Sequence, residues 1–301
     1  MISAKRIKKR DINLIIWCLP FIALVIAFSY VPLFGWLYAF FDYQIGIPLF
    51  KNQFEGFKNF IEIFNSTGEI YGVLINTLAM NFLNLLVSPL PVIFAIMLNE
   101  IRNPVFKRIT QTVTTIPNFI SWIIVYSLAF SMFSSEGVVN QLLDALHSNI
   151  TVDWMNNMEA TWYFQTAIGI WKSLGWTSII YIAAMTGIDS SLYDAAKVDG
   201  AGFLSQVRHI TIPGIMPTFI VLMLLSIANM VSSNFDQYFV FYNSVVAEKI
   251  EVVDYYAYRI GFMMNDYSLG TAVSATKSVV SVTLLFFVNY LSKITRGESI
   301  I

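Results

Sequence analysis

The chain has 301 residues, 56% of them hydrophobic and only 12% charged, with a formal net charge of −1. A soluble globular domain carries charge at about a quarter of its positions, so this composition argues against one and calls for lipid as solvent. The 16% aromatic content comes without a basic stripe, which sets nucleic acid aside as a partner, and the single cysteine, Cys18, can form neither an internal disulfide nor a multi-cysteine metal site.

In chain order, Lys5, Arg6, Lys8, Lys9 and Arg10 precede an apolar run from Ile12 to about Phe40. That run exceeds the roughly 7 to 15 residues of a signal-peptide core and reads as a retained first span. Crossing a hydrocarbon core takes about 20 mostly apolar residues. Six segments qualify, near 12–40, 71–98, 112–133, 162–186, 214–232 and 270–292. They predict an all-α integral membrane protein whose residues 1–301 form a single transmembrane domain. Pro20, Pro32, Pro89 and Pro91 fall inside spans and predict kinked helices whose freed carbonyls are satisfied by neighbours.

Alternate loops differ in basic residues. Lys and Arg on the side of the termini outnumber those on the other side by 12 to 4, the latter being Lys51, Lys58, Lys249 and Arg259. Basic residues resist translocation, so both termini are expected in the cytoplasm. No internal repeat relates the two halves, which weighs against an inverted-repeat secondary transporter.

The cytoplasmic connector 187–213 is rich in signals. Ser191 followed by Asp194 reads as a capping-box start of a short helix. Asp199-Gly200 and Gly202 interrupt it, and Phe203 to His209 is expected to form a second short helix that stops near Pro213. Ala195, Ala196 and Ala201 would leave a compact knob that another surface can approach closely. An ordinary polar connector between spans is the competing reading of this spacing.

Asp194-Ala195-Ala196, Gly200-Ala201 and Ile210-Thr211-Ile212-Pro213 resemble the EAA loop of ATP-binding-cassette importer permeases. Asp194 stands where glutamate is usual and Ile212 where leucine is usual. The resemblance extends to Asn99-Glu100-Ile101-Arg102, Phe106-Lys107-Arg108, the stretch from Thr115 to Trp122, and Phe235-Asp236-Gln237-Tyr238-Phe239 with Phe241-Tyr242-Asn243, which look like signatures of the polysaccharide and oligosaccharide permeases of the binding-protein-dependent carbohydrate transport family.

That resemblance implies a type I importer permease fold in the bacterial cytoplasmic membrane. It also implies a second homologous permease subunit, an ATPase dimer and an extracytoplasmic solute-binding protein as partners. Tyr193, Asp194, Ala195, Ala196, Asp199, Gly200, Ala201 and Pro213 would form the ATPase-coupling segment. The chain has no G-x-x-x-x-G-K-[ST] loop, so ATP and Mg are expected on the partner ATPase, with no cofactor and no catalytic residue here.

A neutral polyhydroxyl cargo needs amides and aromatic faces. The expected substrate path is therefore Asn81, Asn84, Trp176, Asn229 and Ser233, with Asp236 and Gln237 at its outer mouth; Asn81 and Asn84, and Asn229 and Ser233, are each spaced to share a helical face. For any single Asn or Ser the alternative is interhelical hydrogen bonding. Lys172 in the fourth span could meet acidic cargo, whereas Lys277 is expected to snorkel to the outer interface. His147, placed in an external loop, and His209 have no second ligand at metal spacing.

Other solutes, such as glycerol phosphate or a polyamine, fit the same family. A membrane-embedded enzyme lacks its motifs, with no H-E-x-x-H and no G-x-S-x-G. A secondary transporter would need intramembrane carboxylates to couple ions.

Overall fold

The computed structural model describes residues 9–65, 68–146 and 151–296; His147, Lys5, Arg6 and Lys8 lie outside them. Among the described residues six helical spans are long and apolar enough to cross a membrane: Ile16–Phe40, Glu69–Glu100, Trp122–Ala145, Thr161–Thr186, Phe203–Ala228 and Tyr267–Tyr290. The chain packs as two compact units, one comprising Met1–Asn65 and Ala257–Thr276, the other Ser66–Tyr256 and Lys277–Ile301.

In the first unit, the opening span runs through Pro20 as α-helix and changes character just ahead of its second proline, Pro32. An α-helix to Val25 gives way to a π turn over Ile26–Tyr30 and then a 3₁₀ stretch, Val31–Phe40. Pro32 cannot donate a hydrogen bond and its ring crowds the carbonyl four residues back, and the widened turn just before it relieves that crowding. Two-residue strands, Phe41–Asp42 and Gln53–Phe54, pair antiparallel after the span. Asn59, buried in the helix Lys58–Asn65 that follows the strands, donates to the Ala39 carbonyl at 3.0 Å and ties that helix to the end of the span. At the start of the last helix, a Cβ on Gly270 would lie 2.7 Å from Gly261 Cα, so only glycine permits that backbone approach.

In the second unit, Pro89 starts a new helix and divides the second span into Glu69–Leu86 and Pro89–Glu100. The third span departs from its expected limits. Residues 112–115 belong to an amphipathic helix, Pro104–Thr115, capped by Asn103, whose Oδ1 accepts from the backbone amides of Val105 and Phe106. A 3₁₀ turn, Ile116–Phe119, intervenes, and the apolar run begins only at Trp122. Pro117 ends the first helix by removing a donor.

The fifth span is corrected at both ends. The helix beginning at Phe203 does not stop near Pro213; it passes through a π turn, Val207–Thr211, and continues to Ala228. Ile212 N donates to the Val207 carbonyl, the wide bond that makes room for Pro213, as in the first span. At the other end the helix stops at Ala228, and residues 229–234 are non-helical. Asn229 and Ser233 therefore do not share a helical face.

Helix packing uses small residues where lipid offers no hydrophobic gain for association. A Cβ on Gly175 would fall 2.2 Å from the Thr114 carbonyl oxygen. Nearby, Ala95, Ile96, Tyr181, Met185 and Ile215 form a buried cluster joining the second, fourth and fifth spans.

Candidate functional site

A cavity of about 600 Å³ opens among the second, fourth and fifth spans. Asn81, Asn84 and Asn229 line it, as does Gln237. Trp176, Ser233 and Asp236 are not among its lining residues: Trp176 packs edge-on against Phe119 with ring centroids 5.6 Å apart, Ser233 is turned to Asp254, and Asp236 is exposed.

The wall is built by the break in the fifth span. Asn81 Nδ2 donates to the carbonyls of Met230 at 2.9 Å and Ser232 at 3.1 Å. Asn81 lies mid-way along the second span, so these carbonyls sit at membrane depth, where non-helical backbone is tolerated only if protein satisfies it or it lines a cavity. Here both conditions hold, since Ser232 and Asn234 line the space as well. From behind, Asp254 Oδ2 accepts from Ser233 N at 2.9 Å and Ser233 Oγ at 3.0 Å, and its other oxygen pairs with Lys277 Nζ. Lys277 is thus paired and does not snorkel.

Gln237 is buried and sits just after the break. Its Nε2 donates to the carbonyl and to Oε1 of Gln165 at 2.9 and 3.0 Å. Gly169 faces the same side chain, and a Cβ built on it would lie 3.6 Å from the Gln237 amide oxygen, at ordinary van der Waals contact. Lys172 is 8% exposed and donates to the carbonyls of Pro117, Asn118 and Ile120 at 3.0, 2.8 and 2.7 Å. It closes the end of the 3₁₀ turn and also lies 5.3 Å from the Trp122 ring centroid. Sequence reasoning missed the wall formed by Gly169, Ser173 and Thr177, although their spacing of four puts them on one face of the fourth span.

The connector forms a second feature. Its helix is Ser190–Val198, and its N-cap is Asp189, whose carboxylate accepts from Ser191 N at 2.9 Å. The expected Ser191 capping box is corrected by two residues, because a carboxylate two positions earlier already serves the first free amides. Hydrogen bonding to Ser191 holds the Asp189 carboxyl below its ordinary range.

Gly200 ends this helix at φ 76°. Ala201 N donates to the Ala196 carbonyl and Gly200 N to that of Lys197, the paired bonds of a Schellman cap. Asp199 supplies the C-cap, Ala195 accepts from Asp199 N, and Asp194 pairs with Lys197 at 3.1 Å on the exposed side. Tyr193 Oη lies 3.0 Å from Thr211 Oγ1, joining this helix to the base of the fifth span, where Pro213 follows the π turn. Leu192, Val198, Phe203 and Leu204 are exposed, leaving an apolar surface beside the cap.

The family model of binding-protein-dependent transport system inner membrane components matches residues 87–296. Protein LplB of Bacillus subtilis (strain 168) is 36% identical over 289 residues, covering 95% of this chain and 90% of that protein. The polygalacturonan/rhamnogalacturonan transport system permease protein YteP of the same organism is also 36% identical, over 300 residues, covering 98% of this chain and 92% of that protein. A solved bacterial alginate ABC transporter, in complex with its alginate pentasaccharide-bound periplasmic protein, has a chain of 31% identity and TM-score 0.86, with 96% of each chain covered. With six apolar spans and this match over most of its length, the chain belongs to the binding-protein-dependent transport system inner membrane component family and is a multi-pass ABC transporter permease of the cytoplasmic membrane.

Proposed function

We propose that the chain is the permease subunit through which an oligosaccharide, delivered by an extracytoplasmic solute-binding protein, is imported beside a second homologous permease. Both termini face the cytoplasm in this reading. There the Ser190–Val198 helix and its Gly200 cap bear on an ATPase dimer that binds ATP and Mg and performs the hydrolysis, so that this chain is not itself an enzyme. The observation that carries the reading is the cavity. Its volume falls in the roughly 300–1,000 Å³ of small-molecule sites, and amides, hydroxyls and aromatic rings from Asn84, Asn229, Gln237, Trp122 and Tyr181 line it, the chemistry that exchanges water for sugar hydroxyls. The polygalacturonan and alginate transporters among its relatives support a saccharide cargo.

The test is reconstitution of this chain with its second permease, ATPase and binding protein in proteoliposomes. ATP-dependent uptake of labelled oligosaccharides is expected, and it should disappear when the ATPase is omitted. Uptake of amino acids or polyamines in place of saccharides would overturn the cargo assignment.

A further inference from the structure

Among the described lining residues of the cavity, Lys172 is the one that carries a charge, and none is a carboxylate. Its ammonium has three hydrogens, and three backbone carbonyls take them. Carbonyls satisfy hydrogen bonds but do not cancel an integer charge. The pair behind the wall does cancel: Asp254, joined to the non-helical segment through Ser233, is matched by Lys277. The one formal charge among the described lining residues is therefore positive, a cation held where low-dielectric surroundings screen it less than water would.

We propose that Lys172 sets the charge selectivity of the path, making it one for anionic saccharides, those bearing carboxylates such as uronate units. The proposal rests on the saccharide reading above and adds the class of sugar. Lys172 acts here as a field source rather than as a direct hydrogen-bond donor to cargo, since its donors are already engaged. A carboxylate passing Asn84, Ser173 and Asn229 takes hydrogen bonds from the neutral groups and its electrostatic stabilisation from the cation behind them. A cationic solute would be repelled by the same field.

The experiment compares uptake of trigalacturonate, its fully methyl-esterified form and neutral maltotriose by the assembled transporter in proteoliposomes. Esterification removes the charges and leaves the rings. The wild type should prefer the acid over the ester, Lys172→Arg should keep that preference, and Lys172→Gln should lower the acid-to-ester ratio by on the order of tenfold. Ser173→Asp keeps Lys172 itself and puts a compensating carboxylate at a cavity-lining position; it should lower the ratio similarly and decides the matter should Lys172→Gln fail to assemble. An unchanged ratio in an assembled Lys172→Gln or Ser173→Asp transporter overturns the proposal even if the wild type favours the acid, because the preference would then lie elsewhere. Import of the ester or maltotriose in preference to the acid also overturns it while the saccharide reading stands, whereas import of no saccharide brings down that reading itself.

Discussion

Tyr193 and Thr211 meet through their hydroxyls at 3.0 Å, across 18 residues of chain. The bond fastens the Ser190–Val198 helix to the foot of the fifth span, and under the proposed coupling role it would pass movement of one to the other. Tyr193→Phe removes one hydrogen bond, worth about 0.5–1.5 kcal/mol net. The expected outcome is an assembled transporter with normal ATPase rate and a several-fold drop in sugar imported per ATP hydrolysed. An unchanged ratio would show that the backbone alone transmits the motion.

Gly200 holds φ 76° with open space around the position of a Cβ, so its requirement is conformational and not steric. Asparagine tolerates this region, alanine pays about 1–2 kcal/mol, and proline cannot adopt it. Transport should fall in the order Gly200, Asn, Ala, Pro, together with retention of the ATPase during purification. Equal retention by the alanine and proline variants would falsify the proposed role of this cap in holding the ATPase.

Asp189 is an exposed N-cap whose folded pKa lies below its ordinary value of 3.8. A depressed carboxyl contributes stability above the unfolded pKa and loses it as pH falls through the folded one. Titration of this group should therefore leave coupling unchanged from neutral pH down to about pH 5. Asp189→Asn should match wild type there, whereas Asp189→Ala should impair coupling at every pH tested, as read by uptake per ATP.

The Asp254–Lys277 pair, with both side chains about one-fifth exposed, holds the non-helical end of the fifth span. Removing one member of a largely buried pair costs about 3 kcal/mol or more, and removing both costs less than the sum. Asp254→Asn and Lys277→Met should each lower the thermal stability of the purified permease more than the double variant does. Additive effects would mean the two side chains act independently.

Asn81 supports two carbonyls of the cavity wall, whereas Asn84 is exposed along it. Asn81→Ala should therefore reduce both stability and uptake, the lost bonds amounting to about 1–3 kcal/mol, while Asn84→Ala should reduce uptake alone. In a Cys18→Ser background, a cysteine at position 84 should react with water-soluble thiol reagents and be protected by cargo. A cysteine at position 84 that stays unreactive in all nucleotide states would remove it from the path.

Much of this was legible in the sequence because it depends on composition and local spacing. Six apolar runs must become spans, and Asp199-Gly200-Ala201 must end a helix because glycine is the residue for a positive φ. The cavity was legible only in part. Asn229 and Ser233 look like helical neighbours until the fifth span unwinds, and nothing local signals the unwinding, since it is Asn81, some 150 positions away, that satisfies the released carbonyls. Lys277 gave no sign of its partner for the same reason: Asp254 reaches it through tertiary packing. The capping error was smaller, a choice between Asp189 and Ser191 that the backbone decided.

The π turn at Val207–Thr211 inserts one residue into an otherwise unbroken rod. At 3.6 residues per turn, one residue is about 100° of rotation and 1.5 Å of rise. Phe203 and Leu204 are consequently out of phase with the span above them, and a helical wheel drawn through both assigns them the wrong azimuth. Deleting one residue within the turn would leave the rod continuous but swing those two apolar side chains by that angle, so length changes here act as changes of direction.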